Sequence, residues 1–171
     1  MGRAHIDQRL AEYFGDVRPT RWVTRARPKI DRIACPWLIR RFIDPRAVVL
    51  YVPSEQVFDV ARREAAVAFD LPGAPFTHDG EQCSFDAFLK VFALDDPGLA
   101  ALAPIVRGAD TDRHELAPQA SGLHALSLGL SVLFDDDLAL LDQGLTIYDA
   151  LYAWARGERH DWPPDTTAVA R

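Results

Sequence analysis

Two cysteines, Cys35 and Cys83, are all the thiol chemistry this 171-residue chain carries. They cannot build a disulfide framework, and the lack of a C-x-x-C pair excludes a zinc ribbon. No run approaches the ~20 apolar residues that a membrane-spanning helix requires. The opening stretch MGRAHIDQRLAEYF lacks the apolar core of a signal peptide, so the expected location is the cytoplasm. Also missing are G-x-G-x-x-G, the P-loop, G-x-S-x-G and H-E-x-x-H, which removes the common nucleotide cradles, serine hydrolases and zinc peptidases. Basic residues are not interleaved with aromatics, and a net charge of −6 opposes direct nucleic-acid binding.

Hydrophobic residues make up 49% of the chain and charged residues 26%, the balance of an ordinary soluble domain. Charge is spread unevenly. Residues 1–46 hold 11 Lys/Arg against 5 Asp/Glu, a balance of +6, and the remainder holds 8 against 20, a balance of −12. The basic end can attract an anion or simply complement the acidic half.

The pattern along the chain predicts an α+β fold, a small sheet in the first half packed by a mainly helical second half. Residues 1–20 read as an N-terminal helix and link, 21–156 as the main domain, and 157–171, with Pro163-Pro164, as a loose tail. Arg21–Arg25 alternates in the manner of a strand, and the continuous apolar run Ala47–Val52 suggests a buried one. Ala66–Phe69 and Phe76–His78 read as short strands around Leu71-Pro72-Gly73. Helices are expected from Pro53, Ser84, Pro97 (ending at Gly108) and Pro118, with Asp135 capping the last one. A further helix begins either close to Cys35-Pro36, since proline suits a first turn, or at Asp31 with a distortion at the proline.

Three places gather reactive side chains. In Lys29–Pro36, a Cys35 at the helix start would be a catalytic thiolate favoured by the dipole and by Arg32; otherwise it is a small buried hydrophobe. Arg32, Arg40 and Arg41 could bind an oxyanion through paired hydrogen bonds, while Asp31 pairs with Arg32, caps the helix or takes a site role. Thr77–Ser84 contains His78 after a strand and before a glycine turn, a position suited to a metal ligand or an acid/base group. Arg107–Asp112 reads as a loop leaving a helix, with Asp110 as a candidate ligand. His124 lies within an apolar helix. With His78 and Asp110, and Asp31 as a fourth group, it would complete a mixed nitrogen and oxygen set that zinc, manganese or iron accepts.

Lys29-Ile30-Asp31-Arg32-Ile33-Ala34-Cys35-Pro36-Trp37-Leu38-Ile39-Arg40-Arg41-Phe42-Ile43-Asp44 resembles the signature of the chromate-resistance regulator B (ChrB) C-terminal domain family. So do His78-Asp79-Gly80-Glu81-Gln82-Cys83-Ser84-Phe85-Asp86, Gly108-Ala109-Asp110-Thr111 and Tyr148-Asp149-Ala150-Leu151-Tyr152-Ala153. The resemblance implies a bacterial protein of chromate resistance, a stand-alone sensing or effector domain that needs a separate N-terminal part to reach DNA. Two readings follow from different classes. The first is a binding module for a metal ion or a small oxyanion, with a homodimer left open. The second is a metal- or thiol-dependent redox enzyme acting on chromate or on the oxidants it generates.

Overall fold

A computed structural model describes residues 3–157, so the expected loose tail lies outside the described residues. The fold is α+β, as the pattern predicts. Helix α1 (Arg3–Phe14) leads to strand β1 (Arg21–Arg25), helix α2 (Ile30–Leu38), strand β2 (Val48–Val52), helix α3 (Val57–Glu64) and strand β3 (Val67–Ala68). Four helices follow: α4 (Ser84–Val91), α5 (Pro97–Asp110), α6 (Ala120–Leu133) and α7 (Asp137–Ala155).

The three strands form a parallel sheet in the order β2-β1-β3, with Trp22 paired to Val49 on one side and Val67 on the other. Strand β1 is central. Right-handed crossovers in opposite directions put α2 and α3 on opposite faces of the sheet. The burial agrees: Trp22 joins the main core with Ile33, Phe76 and Phe88, whereas Val23 joins Val57 and Val60 under α3. The run Ala47–Val52 is an edge strand instead of a buried one, and Val48 is 46% exposed. Phe76–His78 forms no strand; Phe76 alone bridges to Phe69, and His78 is left outside regular structure. Phe76 stacks on Phe88 with ring centroids 4.2 Å apart, which seals that region into the core.

Helix α2 settles the question raised by Pro36. It begins at Ile30, so Cys35 sits in its interior and not at its start. Proline cannot donate to the Arg32 carbonyl four residues back. The Tyr51 hydroxyl donates to that carbonyl instead, at 2.6 Å. Beyond the proline the helix widens into a π turn over Ile39–Ile43, with the Asp44 N–H bonding to the Ile39 carbonyl at 2.7 Å. Helix α7 is capped by Asp136, the neighbour of the expected Asp135, through the Ala139 N–H. Helix α5 runs past Gly108 to Asp110. Gly108 is not a terminator: a Cβ there would lie 2.8 Å from the Arg113 carbonyl and 2.9 Å from the Ala120 Cβ. Asp110 therefore belongs to the last turn of a helix, not to a loop.

Candidate functional site

Parallel sheets of this kind open a crevice beyond the carboxyl ends of their strands, where crossovers leave in opposite directions. Arg25 ends β1, Asp31 and Arg32 lie in the first turn of α2, and Asp70 follows β3. With His78, Asp110 and Lys29, these residues gather around a cavity of about 400 Å³, with Asp31 buried beneath it.

His78 is the centre of the arrangement. Its Nε2 lies 3.0 Å from Asp110 Oδ2 and 3.6 Å from both Asp31 Oδ2 and Asp70 Oδ1. One nitrogen thus faces three carboxylates, more acceptors than a single N–H can serve. Ligand atoms of Asp31, His78 and Asp110 all lie within 4.8 Å of one another. The structure brings these three predicted residues together.

Two helix starts help hold the carboxylates. Asp31 is 1% exposed, and its Oδ2 accepts from the backbone N–H groups of Ser84 and Phe85 at the start of α4. Asp110 Oδ1 accepts from the Asp31 N–H at 3.3 Å, in the first turn of α2. Free N–H groups and the positive end of each helix dipole offset part of the cost of burying these acids. Asp86 accepts from the Cys83 N–H and forms a two-bonded pair with Arg107, both bonds 2.7 Å, which ties α4 to α5. Asp31 Oδ1 is buried and has no hydrogen-bond partner among the described residues.

The charges are strongly coupled. Burial, then the neighbouring Asp110 and Asp70 charges, push the Asp31 carboxyl well above its ordinary range, and His78 and the Cys83 thiol only partly counter this. Burial would raise Asp70 too, but the nearby His78 ring and the hydrogen bonds from Ser84 and Arg25 outweigh it and hold the group low. The Asp110 and then the Asp70 carboxylate, close beside the ring, raise the His78 imidazolium to about 10. The His78 ring therefore carries both of its protons at neutral pH.

The sign of the resulting pH dependence follows. A histidine raised from 6.5 to about 10 contributes stability that is fully present below 6.5 and lost as pH climbs towards 10. The raised Asp31 acts in the same direction. Metal-free protein is expected to lose melting temperature across that window, and His78→Gln to show a flatter profile. Thermal melts at constant ionic strength measure this; a wild-type profile as flat as the variant's would rule out the coupling.

Of the other predicted residues, Arg32 and His124 line the cavity outside the Asp31–His78–Asp110 cluster, and Cys35, Arg40 and Arg41 do not line it. Cys35 is wholly buried, and burial followed by the Asp31 and Asp70 charges pushes its thiol well up, which removes the thiolate that a helix start would have favoured. Arg32, Arg40 and Arg41 do not form one cluster. Arg32 lines the cavity, with its Nε 3.4 Å from Asp70, whereas Arg40 donates to the Ala47 carbonyl at 3.2 Å. Arg41 forms a two-bonded pair with Asp149, which also accepts from the Trp37 indole at 2.8 Å. The basic residues beside the cavity are Arg25, Lys29 and Arg32. His124 lines the cavity, but its Nδ1 lies 3.0 Å from His114 Nε2 and outside the Asp31 cluster. Asp70 and Arg25 were missed from the sequence; the available signal was their position at strand ends.

No helix among the described residues is long and apolar enough to cross a membrane. The family model of the ChrB C-terminal domain matches residues 22–155. Protein ChrB of Cupriavidus metallidurans is 41% identical over 133 residues, which cover 77% of this chain and 39% of that protein. The chain thus spans about two fifths of that relative's length. No solved structure matches. The matched span runs from β1 to α7 and contains every residue placed around the cavity, and the chain accordingly belongs to the ChrB C-terminal domain family, the chromate-resistance family that its α2 motif resembles.

Proposed function

We propose that this domain is the sensing part of a bacterial chromate response, and that it holds a divalent metal ion between Asp31, His78 and Asp110. Arg25, Lys29 and Arg32 would then draw the oxyanion to the cavity. The observation that supports this most is the single His78 nitrogen facing three carboxylates: an imidazolium satisfies at most one of them well, whereas a metal ion binds several at once. One nitrogen among carboxylate oxygens suits zinc, manganese or ferrous iron. Asp70 accepts from Ser84 Oγ at 2.8 Å and from Arg25 at 3.0 Å, and so serves the site best as the group that orients the cations and the histidine. The guanidinium groups of Arg25 and Arg32 match a tetrahedral oxyanion through paired N–H donors. Ligands must shed their protons, so metal uptake would release protons and strengthen with pH.

Elemental analysis of protein purified without chelator tests the reading. Near-stoichiometric metal is expected in the wild type. His78→Ala is expected to lower metal affinity by more than the roughly 10–100-fold typical of removing a group that merely supports a ligand. Chromate titrated into metal-loaded and metal-stripped protein then separates the two parts. Binding lost only on stripping supports a metal-dependent anion site, and equal binding by both forms leaves the cations alone as the site. Wild-type protein that neither retains nor takes up a divalent ion would falsify the metal reading.

A further inference from the structure

We propose that Asp112, His114 and His124 form a second divalent-metal site, richer in nitrogen, beside the cavity. Ligand atoms of the three residues lie within 4.8 Å of one another. His114 Nε2 stands 3.0 Å from His124 Nδ1 and 3.5 Å from Asp112 Oδ1. The two imidazole rings are nearly perpendicular, at 87°, with centroids 5.1 Å apart, so they meet through their nitrogens and do not stack. A plain histidine–histidine hydrogen bond accounts for two of these atoms, one ring donating and the other accepting. It leaves the Asp112 carboxylate turned towards a nitrogen that has already spent its proton or its lone pair. A cation satisfies all three.

The fold presents these ligands from a braced turn. His114 opens a short 3-10 turn between α5 and α6, and His124 lies in the second turn of α6. The Arg113 N–H bonds to the Gly108 carbonyl at 3.0 Å, and the Leu116 N–H to the Arg113 carbonyl at 3.1 Å. Thr111 Oγ1 adds a bond to the Arg107 carbonyl at 2.8 Å. This bracing depends on the close approach that Gly108 permits. The side chain of Asp112 is 85% exposed and that of His114 37% exposed, so the site opens to solvent and keeps positions for water or an exogenous ligand.

The chemistry separates this site from the one under His78. Two imidazoles and one carboxylate suit zinc, nickel or copper, with copper favoured by the general order of affinities, whereas the cluster around Asp31 offers mainly carboxylate oxygen. His124 also lines the cavity, so a metal here would add positive charge to its wall. The second site does not depend on the first being occupied.

Metal-stripped, tag-free protein titrated with cupric ion and followed by electron paramagnetic resonance tests the proposal. The expected spectrum shows coupling to two nitrogen nuclei. His114→Gln and His124→Gln should each remove that signature and weaken copper by roughly 100-fold or more, beyond the loss typical of a supporting group. His78→Ala should leave it intact. Asp112→Asn, on an exposed turn where folding is not at risk, should weaken copper while retaining both nitrogen couplings. A wild-type spectrum without two nitrogens overturns the proposal. So does a signature that survives His114→Gln, or one that disappears with His78→Ala but not with His114→Gln.

Discussion

Asp31→Asn is expected to make the metal-free protein more stable and to abolish the metal binding proposed for Asp31, His78 and Asp110. Asp31 is buried beside two other carboxylates, and its charged form is disfavoured there while it is free to ionise in the unfolded chain. The isosteric amide cannot ionise, so that cost disappears. Its oxygen can still accept from the Ser84 and Phe85 N–H groups at the start of α4. Its NH₂ can donate where Asp31 Oδ1 has no partner among the described residues, with the Asp70 and Asp110 carboxylates nearby as acceptors. The gain should be about 0.5–2 kcal/mol at pH 7, the range common for a single stabilising substitution. The loss of metal should be large, because an anionic ligand is replaced by a neutral, weakly donating one. Urea denaturation of metal-stripped protein, paired with metal titration, measures both effects. A variant that is destabilised and still binds metal would show Asp31 to be a structural cap for α4 and nothing more.

Gly144→Ala should destabilise the domain, although helix propensity argues the opposite. In an exposed helix interior this exchange gains about 1 kcal/mol. Here a Cβ would lie 2.4 Å from Ile33 Cγ2, with the Ile33 Cβ and Cδ1 also in contact. Overpacking a tight core costs typically 1–3 kcal/mol, so the contact should outweigh the propensity. The consequence reaches the site, since Ile33 follows Asp31 and Arg32 on α2. Pushing α2 from α7 would move both groups relative to His78 and Asp110. A double-mutant cycle with Ile33→Ala isolates the contact: on that background Gly144→Ala should be neutral or stabilising. Equal penalties on both backgrounds would place the cost elsewhere.

Much of the fold was legible from local pattern. β1, β2, α4 and the long final helix fall where alternation and helical spacing place them, because those signals arise within a few residues of one another. The misreadings have physical causes. Pro36 left two helix starts open, at the proline or at Asp31 with a distortion, and Tyr51, on another element, supplies the hydrogen bond that the proline cannot, so that the helix begins early and runs through it. The apolar run of β2 suggested burial on both faces, but strand order put it at an edge. Gly108 suggested a stop, and its actual constraint is the closeness of Arg113 and Ala120.

The site divides in the same way. Residue types and local position nominated His78, Asp110 and His124, with Asp31 as a fourth group, and the fold brings His78, Asp110 and Asp31 together. Those signals were not enough to separate Arg32 from Arg40 and Arg41, which share its helix and its continuation but point to different partners. Nor could they show that His124 joins His114, ten residues away, in place of His78.

The sequence by itself determined the α+β class, the helix carrying the acidic and basic residues, and the family. Each rests on periodicity, capping or a contiguous motif, and none of these requires knowing what lies across the fold. Only the tertiary structure decided which groups meet. Two crossovers in opposite directions bring the ends of β1 and β3, the first turn of α2 and the last turn of α5 to one crevice. Asp31, Asp70, His78 and Asp110 are separated by up to 79 positions, and they meet across distances of 3.0–3.6 Å that no local rule encodes.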